Sequence, residues 1–103
     1  MLGYATEALD MVRGRDRSDL EQDRQFSLAV VRLLEIVGEA ASRVTPESRA
    51  AYDSIPWADI VGLRNRLIHG YDSVDPDILW DVLTEDLPAL VQQLRKALAD
   101  LEE

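Results

Sequence analysis

Residues 63–74 read LRNRLIHGYDSV and contain His69, the only His among the 103 residues of the chain. Arg64, Asn65 and Arg66 lie a few residues before it. An imidazole can give or take a proton near neutral pH, and guanidinium groups bind phosphate or carboxylate through paired donors. The stretch therefore combines a proton carrier with anion-binding groups, and we expect any catalytic site of this chain to lie here.

A helix is expected to lead into this stretch, since apolar residues at helical spacing run from Trp57 to Ile68. Arg64 and His69 are five positions apart, about 140° around an ideal helix, so they would not share a face if the helix continued. Gly70 favours the left-handed conformation that closes a helix. A helix that ends near Ile68 leaves His69 at its terminus, free to turn back towards Arg64.

Upstream, two helices are predicted. The first covers about residues 2–13 and ends at Gly14, and either Ser18 or Asp19 caps the second, which covers about residues 20–44. The second helix is apolar over more than half of its circumference, so it should be covered from more than one side, by another helix or by a partner subunit. Gly38 lies in its middle and indicates a close approach of a neighbouring helix.

Each remaining helix begins at a proline. Thr45 and Pro46 predict a short helix to about Tyr52, and Pro56 opens the third main helix. Asp75 and Pro76 start the last helical region, whose apolar residues recur at close to the 3.5-residue period of a bundle. These apolar residues are Leu79, Leu83, Leu87, Leu90, Leu94, Ala97 and Leu101.

Pro88 interrupts this last pattern. It predicts a kink or break near residues 84–87, with Thr84 available as a second helix cap. The pattern as a whole predicts an all-α fold: one domain over residues 1–103, an up-and-down antiparallel four-helix bundle with an extra short helix.

Charge and composition limit the functions open to the chain. The net charge is −9, with nine acids and two bases in residues 72–103, which disfavours nucleic-acid binding by the whole surface. The arginines gather within residues 13–24 and at residues 64–66, so an anion could be bound locally.

The chain has no Cys, which excludes a disulfide, a thiolate nucleophile or a thiolate metal site, and we expect no cofactor. It has no signal-like or membrane-spanning apolar run, so a cytoplasmic protein without membrane contact is expected.

The residues at 64–69 suit cleavage of an RNA phosphodiester without a metal. The 2′-hydroxyl attacks the adjacent phosphorus, His69 moves a proton, Arg64 stabilises the charged phosphorane, and Asn65 adds a neutral donor and acceptor. The product is a 2′,3′-cyclic phosphate. Two proton transfers need two titrating groups, so a homodimer with a composite site is preferred. By itself, a lone His near a helix end is more often a capping or packing residue.

The sequence resembles the HepT-like proteins of the HEPN superfamily of helical bundles. RNRLIHGY matches their Arg-x4-His-x-Tyr signature, and LEIVGEAA (residues 34–41), IPW (residues 55–57) and DLPAL (residues 86–90) resemble family patterns in the same order. The resemblance implies the toxin of a type VII toxin–antitoxin pair, a metal-independent ribonuclease that acts as an endonuclease or trims 3′ ends. It implies Arg64 and His69 as the catalytic pair, with Asn65, at a homodimer interface.

The resemblance also implies a regulatory partner. A minimal nucleotidyltransferase antitoxin would transfer AMP from ATP to Tyr71, and the bulky anion would block the phosphate site. Arg66, Arg15 and Arg17 are candidate RNA-binding residues, the last two flanking the groove of the dimer. Whether the RNA is a tRNA or an mRNA stays open. The alternative is a non-catalytic HEPN-type helical module for interaction or nucleotide binding.

Overall fold

The chain folds as the predicted all-α bundle, in a computed structural model that describes residues 1–69 and 73–102. Within those ranges, some side chains lie outside the description, namely those of Arg64, Ile68, His69, Ser73 and residues 100–102. The elements in chain order are α1 (Leu2–Val12), α2 (Asp19–Gln22), α3 (Arg24–Ser42), α4 (Pro46–Ala51), α5 (Trp57–Val61), α6 (Leu63–Leu67), β1 (Ile68–His69), β2 (Ser73–Val74), α7 (Pro76–Asp81), a π-helical segment (Val82–Asp86) and α8 (Leu87–Glu102).

Helix α3 lies at the centre of the bundle. It packs against α1 and also against α5 and α6. Helix α1 in turn packs against α8. The core between them contains side chains that are almost completely buried, including Leu34, Leu67, Leu79, Leu83 and Leu87. Helices of the same chain therefore cover the broad apolar face of α3 from more than one side, as its width predicted. Leu28 remains exposed on this helix.

The cap residues predicted before Pro46 and Pro76 are confirmed. Thr45 accepts a hydrogen bond from the N–H three residues on, at 3.2 Å. Asp75 accepts from the N–H groups of the second and third residues after it, at 2.9 and 3.2 Å. Gly14 follows the end of α1 with a φ of 74°, a conformation that favours glycine. These three signals depend on residues adjacent in sequence, and the sequence alone is enough to place them.

The predicted long helix over residues 20–44 is wrong in its first turns. The chain breaks at Asp23, whose extended backbone separates α2 from α3 and whose carboxylate accepts from Phe26 N–H at 3.1 Å. This hydrogen bond holds the pKa of Asp23 below its ordinary value. Loss of solvation opposes it, and the Arg15 guanidinium at 3.2 Å lowers the pKa further. Asp23, rather than Ser18 or Asp19, thus provides the side-chain cap of the central helix.

The third main helix is shorter than its apolar pattern predicted. It divides at Gly62 into α5 and α6, and α6 ends at Leu67. Ile68 and His69 instead form β1, which pairs antiparallel with β2, and Asp75 N–H donates to the Leu67 carbonyl at 3.1 Å. The sequence did not predict this hairpin. The predicted role of Gly70 in closing the helix lies outside the described residues.

The predicted break before Pro88 is present as a π-helical segment. Leu87 N–H donates to the carbonyl of Val82, five residues back. Because Pro88 has no N–H, the carbonyl of Thr84 lacks its normal helical donor, and the chain accommodates this with one wider turn. The prediction that Thr84 caps a second helix is wrong, since its hydroxyl donates back to the carbonyl of Trp80 at 2.8 Å.

Gly38 marks the close approach of two helices, as predicted. A Cβ at this position would lie 3.0 Å from the backbone oxygen of Ile60, on α5. That oxygen belongs to a helix fixed by the buried Ile60 side chain, so it cannot shift without disturbing the core. Gly38 therefore sets the spacing between α3 and the helix pair that carries the sequence motif.

Gly38→Ala is expected to lower the free energy of unfolding by about 1 kcal/mol, because the clash outweighs the helix propensity that Ala gains. Gly3→Ala is the matched control: no atom lies within 4 Å of its Cβ, so this substitution should leave stability unchanged or raise it. Thermal or urea unfolding of both variants checks the difference. A stability gain at both positions would contradict the close approach.

Candidate active site

Helix α6 presents the polar residues of the motif. Its two ends are fixed in the core by Leu63 and Leu67, which are 7% and 1% exposed. The N–H groups of Asn65 and Arg66 both donate to the Gly62 carbonyl, at 3.1 and 3.3 Å, which winds the helix directly after the break. Both side chains are exposed. This short helix is therefore anchored by apolar ends and shows a polar outer face.

His69 follows α6 on an extended strand. It is the second residue of β1 and pairs with Ser73, while Ile68 pairs with Val74. The backbone of Arg64 lies in α6, and one residue, Ile68, separates the end of that helix from His69. The side chains of Arg64 and His69 lie outside the described part of the chain, and so does Tyr71. The catalytic roles of Arg64, Asn65 and His69 remain predictions, as does modification of Tyr71.

Arg66 forms an ion pair with Asp86, the last residue of the π-helical segment. Arg66 Nη1 lies 3.4 Å from Asp86 Oδ2, and the two side chains are 48% and 55% exposed. This contact joins α6 to the last helical unit across twenty residues of sequence. Sequence reasoning missed Asp86, which appeared only as part of the DLPAL pattern, because no local spacing relates it to Arg66.

A groove of about 340 Å³ opens beside this ion pair. Its floor is apolar and comes from α3, α5, α6 and α8, through Leu34, Ile60, Leu63 and Leu90 among others. Arg66 and Asp86 both line it. The groove therefore combines apolar lining residues with a charged pair that contains one of the candidate RNA-binding arginines.

The other candidate RNA-binding residues, Arg15 and Arg17, lie in the connection between α1 and α2. Arg17 pairs with Glu21 at 3.7 Å and, more closely, with Asp77 at the start of α7. Because α7 directly follows β2, this contact ties the arginine-rich connection to the element after the hairpin. The structure thus places Arg17 near the end of the motif region, but already paired with acids.

Arg15 is held within its own connection. Its guanidinium contacts Asp23 at 3.2 Å and Asp19 at 4.0 Å, and it lies over the Phe26 ring, 4.5 Å from the ring centre. These contacts stabilise the start of α3 whether or not an anion binds. A role in RNA binding for Arg15 or Arg17 remains a prediction.

Over residues 1–69 and 73–102, no group of three or more His, Cys, Asp or Glu side chains is arranged to hold a metal ion. Over the same residues, no helix is long and apolar enough to cross a membrane.

Comparison with known proteins identifies the family. A sequence model described as "Ribonuclease HepT-like" matches residues 1–97, which include the whole motif, and the chain therefore belongs to the HepT-like ribonuclease family. The chain is 32% identical over 94 residues to "Putative RNase MJ1380" of Methanocaldococcus jannaschii, with 91% of this chain and 86% of the relative covered. It is 33% identical over 94 residues to "Probable ribonuclease HepT" of Thermococcus cleftensis, with 87% and 86% covered.

A bacterial relative is similar to the same extent. "Putative RNase TTE0752" of Caldanaerobacter subterraneus is 34% identical over 90 residues, which cover 87% of this chain and 80% of the relative. No solved structure matches the chain. The resemblance drawn from the motif and the three accompanying patterns is thereby confirmed at the level of the family.

Proposed function

We propose that this chain is a metal-independent ribonuclease and the toxin of a type VII toxin–antitoxin pair. The observation that carries the proposal is the match of residues 1–97 to the HepT-like ribonuclease family, with the Arg64–His69 motif inside the matched range. The exposed polar face of α6 supports it, because a phosphate can approach that face without displacing core side chains.

The reaction is an in-line attack within the RNA strand. The 2′-oxygen forms a bond to phosphorus as the bond to the 5′-oxygen breaks, which leaves a 2′,3′-cyclic phosphate and a free 5′-hydroxyl. His69 moves a proton between these oxygens, and Arg64 holds the phosphate and stabilises its developing charge. Asn65, exposed on the same helix, donates to a phosphate oxygen.

A homodimer supplies the second proton carrier. One proton leaves the attacking 2′-hydroxyl and another reaches the departing 5′-oxygen, while each chain has a single His. Two motif stretches that face each other across a two-fold axis bring both imidazoles to one phosphate. The exposed Leu28 on α3 and Val61 on α5 offer apolar surface for such an interface.

Activity assays on the purified chain test the proposal. Incubation with total RNA and with short single-stranded RNA, in excess chelator, should give fragments that end in a 2′,3′-cyclic phosphate. Expression of the chain alone should inhibit growth. Absence of cleavage of any RNA, together with normal growth on expression, would reject the ribonuclease and favour the alternative below.

The proposed antitoxin is a minimal nucleotidyltransferase encoded beside this chain. The phenolic oxygen of Tyr71 attacks the α-phosphorus of ATP, pyrophosphate leaves, and the phenolic proton passes to a base of the partner or to solvent. The AMP group then carries charge and bulk to a position two residues from His69. It blocks the site where the RNA phosphate binds.

Tyr71→Phe should keep ribonuclease activity and lose neutralisation, since the ring remains but the hydroxyl that accepts AMP is gone. Co-expression with the nucleotidyltransferase should rescue growth for the wild-type chain and not for the variant, and intact-mass spectrometry should show AMP on the wild-type chain alone. Tyr4→Phe, at an exposed tyrosine on α1, is the control and should behave as wild type. An unchanged AMP mass on Tyr71→Phe would place the modification elsewhere.

One observation favours a second candidate, a non-catalytic module for interaction or nucleotide binding. The chain carries a net charge of −9, and Arg15, Arg17 and Arg66 are each paired with carboxylates. A surface of this kind has weak long-range attraction for RNA. Binding of ATP or of a protein partner without RNA cleavage would support the module.

A further inference from the structure

Arg66 differs from Arg15 and Arg17, the other two candidate RNA-binding arginines, in the kind of ion pair that it forms. Arg66 extends from α6, the helix that carries Arg64, whereas Asp86 extends from the π-helical segment. Their closest charged atoms are 3.4 Å apart, and both side chains are about half exposed. The contact is therefore open to solvent and to any ligand that approaches α6.

Asp86 is the fixed member of the pair. Its backbone is held by the wide turn that Pro88 imposes, and by the buried residues Leu83 and Leu87 on either side of it. Arg66 has the longer side chain, with more rotatable bonds and an exposed path away from the groove. A competing anion would therefore draw Arg66 away from Asp86 and leave the carboxylate in place.

The same guanidinium donors serve a carboxylate and a phosphate. A phosphate that binds Arg66 must displace Asp86 and then remain close to that carboxylate charge. Because exposed ion pairs of this type are weak, displacement itself is easy, and the residual repulsion between two anions dominates. The Asp86 carboxylate also restricts the conformations of the Arg66 side chain before RNA binds, but the benefit of this restriction to binding is small for a half-exposed ion pair.

We propose that Asp86 is a positioning residue that attenuates RNA binding through Arg66. In the resting chain Asp86 holds the Arg66 guanidinium at the edge of the apolar groove, and an RNA phosphate recruits Arg66 only by competing with this carboxylate. The inference rests on the proposed ribonuclease function. It assigns to Asp86 an effect on substrate affinity, with the chemical step left to Arg64 and His69.

The test compares Asp86→Asn with Glu85→Gln. Both changes remove one negative charge from neighbouring exposed residues of the π-helical segment, but only Asp86 is paired with Arg66. Asp86→Asn should lower KM for single-stranded RNA about threefold with kcat unchanged, since Coulomb repulsion at this range is modest in water. Glu85→Gln should change KM by less than about 1.5-fold, half of the factor expected for Asp86→Asn.

A double-mutant cycle separates a local contact from a general charge effect. Asp86→Asn made in an Arg66→Ala chain should leave KM where Arg66→Ala alone puts it, because without the Arg66 guanidinium no phosphate is held beside the Asp86 carboxylate. The dependence of RNA affinity on salt should become steeper in Asp86→Asn by up to about 0.7 in log–log slope, the value for one additional phosphate contact on a single strand. A purely structural role of the pair would not steepen this slope.

The outcomes distinguish failure of this inference from failure of the proposed function. Cleavage by the wild-type chain with equal responses to Asp86→Asn and Glu85→Gln overturns the inference alone. So does an Asp86 effect that persists without Arg66, or a rise in KM. If Asp86→Asn unfolds, which circular dichroism would show, Asp86→Ser carries the same expectation. A chain that neither cleaves nor binds RNA, as measured by fluorescence anisotropy, overturns both.

Discussion

His69→Ala should reduce the rate of RNA cleavage by about a hundredfold or more. A positioned imidazole that moves a proton in the transition state accelerates such reactions by roughly 10² to 10⁴-fold, and the chain has no second His to replace it. The loss should appear in kcat, since a proton carrier contributes little to ground-state binding. Quantification of 2′,3′-cyclic-phosphate ends in single-turnover reactions measures it directly.

Arg64→Ala should cause a loss of comparable size for a different reason. It removes the cation that stabilises charge on the phosphorane, and a donor of this kind contributes about 10² to 10³-fold. Arg95→Ala is the matched control, because Arg95 is an exposed arginine on α8, outside the motif. The control should cleave at the wild-type rate, which excludes a general effect of lost positive charge.

Both catalytic variants must be shown to fold and to associate as the wild type does. Size-exclusion chromatography and thermal unfolding should give wild-type values for both variants. Undiminished cleavage by His69→Ala would remove it from the catalytic role. Loss of cleavage by the wild-type chain in the presence of chelator would instead contradict a metal-independent reaction. It would not contradict the catalytic roles of the motif residues.

The helix starts of this fold could be predicted from sequence because their causes are local. A Thr or Asp followed by Pro satisfies free N–H groups within three residues, and Thr45 and Asp75 do so in the structure. The kink at the π-helical segment follows from Pro88 in the same local way. Gly38 was predicted correctly for a longer-range reason, since a glycine in a central helix has few roles other than close approach.

The breaks inside helices could not be predicted because they depend on tertiary contacts. Asp23 lies within the polar run at residues 21–25, and its role as a helix cap depends on its contacts with Phe26 and Arg15. Likewise, Ile68 continues the helical spacing, yet it pairs with Val74 in a hairpin whose second strand lies beyond the motif. Periodicity does not distinguish one more helical turn from a short strand when the run is two residues long.

The candidate site shows the same division between local and distant causes. Arg64, Asn65 and His69 lie within six consecutive residues, so the group could be recognised from the sequence alone. Asp86 is twenty residues from Arg66, and only the folded structure shows that the two side chains form an ion pair. Sequence therefore indicated candidate anion-binding residues, and the fold shows the carboxylate that is paired with one of them.

Leu67→Ala should lower the free energy of unfolding by about 2–5 kcal/mol, a large share of the stability of a domain of this size. The Leu67 side chain is 1% exposed, and its removal leaves a cavity that the packed helices around it cannot fill. Its carbonyl accepts from Asp75 N–H, so the residue also joins the end of α6 to the start of the last helical unit. The midpoint of thermal unfolding should fall by about 10 °C or more.

Leu98→Ala provides the control for this variant, since it removes the same atoms from a leucine on α8 that is 45% exposed. Its effect should stay within about 0.5 kcal/mol, as for most surface substitutions. Leu67 anchors the end of α6 directly before β1. We therefore expect the end of α6 to loosen in Leu67→Ala before the bundle unfolds, so RNA cleavage by this variant should decline at temperatures well below its unfolding midpoint. Equal stability of the Leu67 and Leu98 variants would show that Leu67 does not fix this end of α6 to the core. Another contact would then have to position Arg64 and His69.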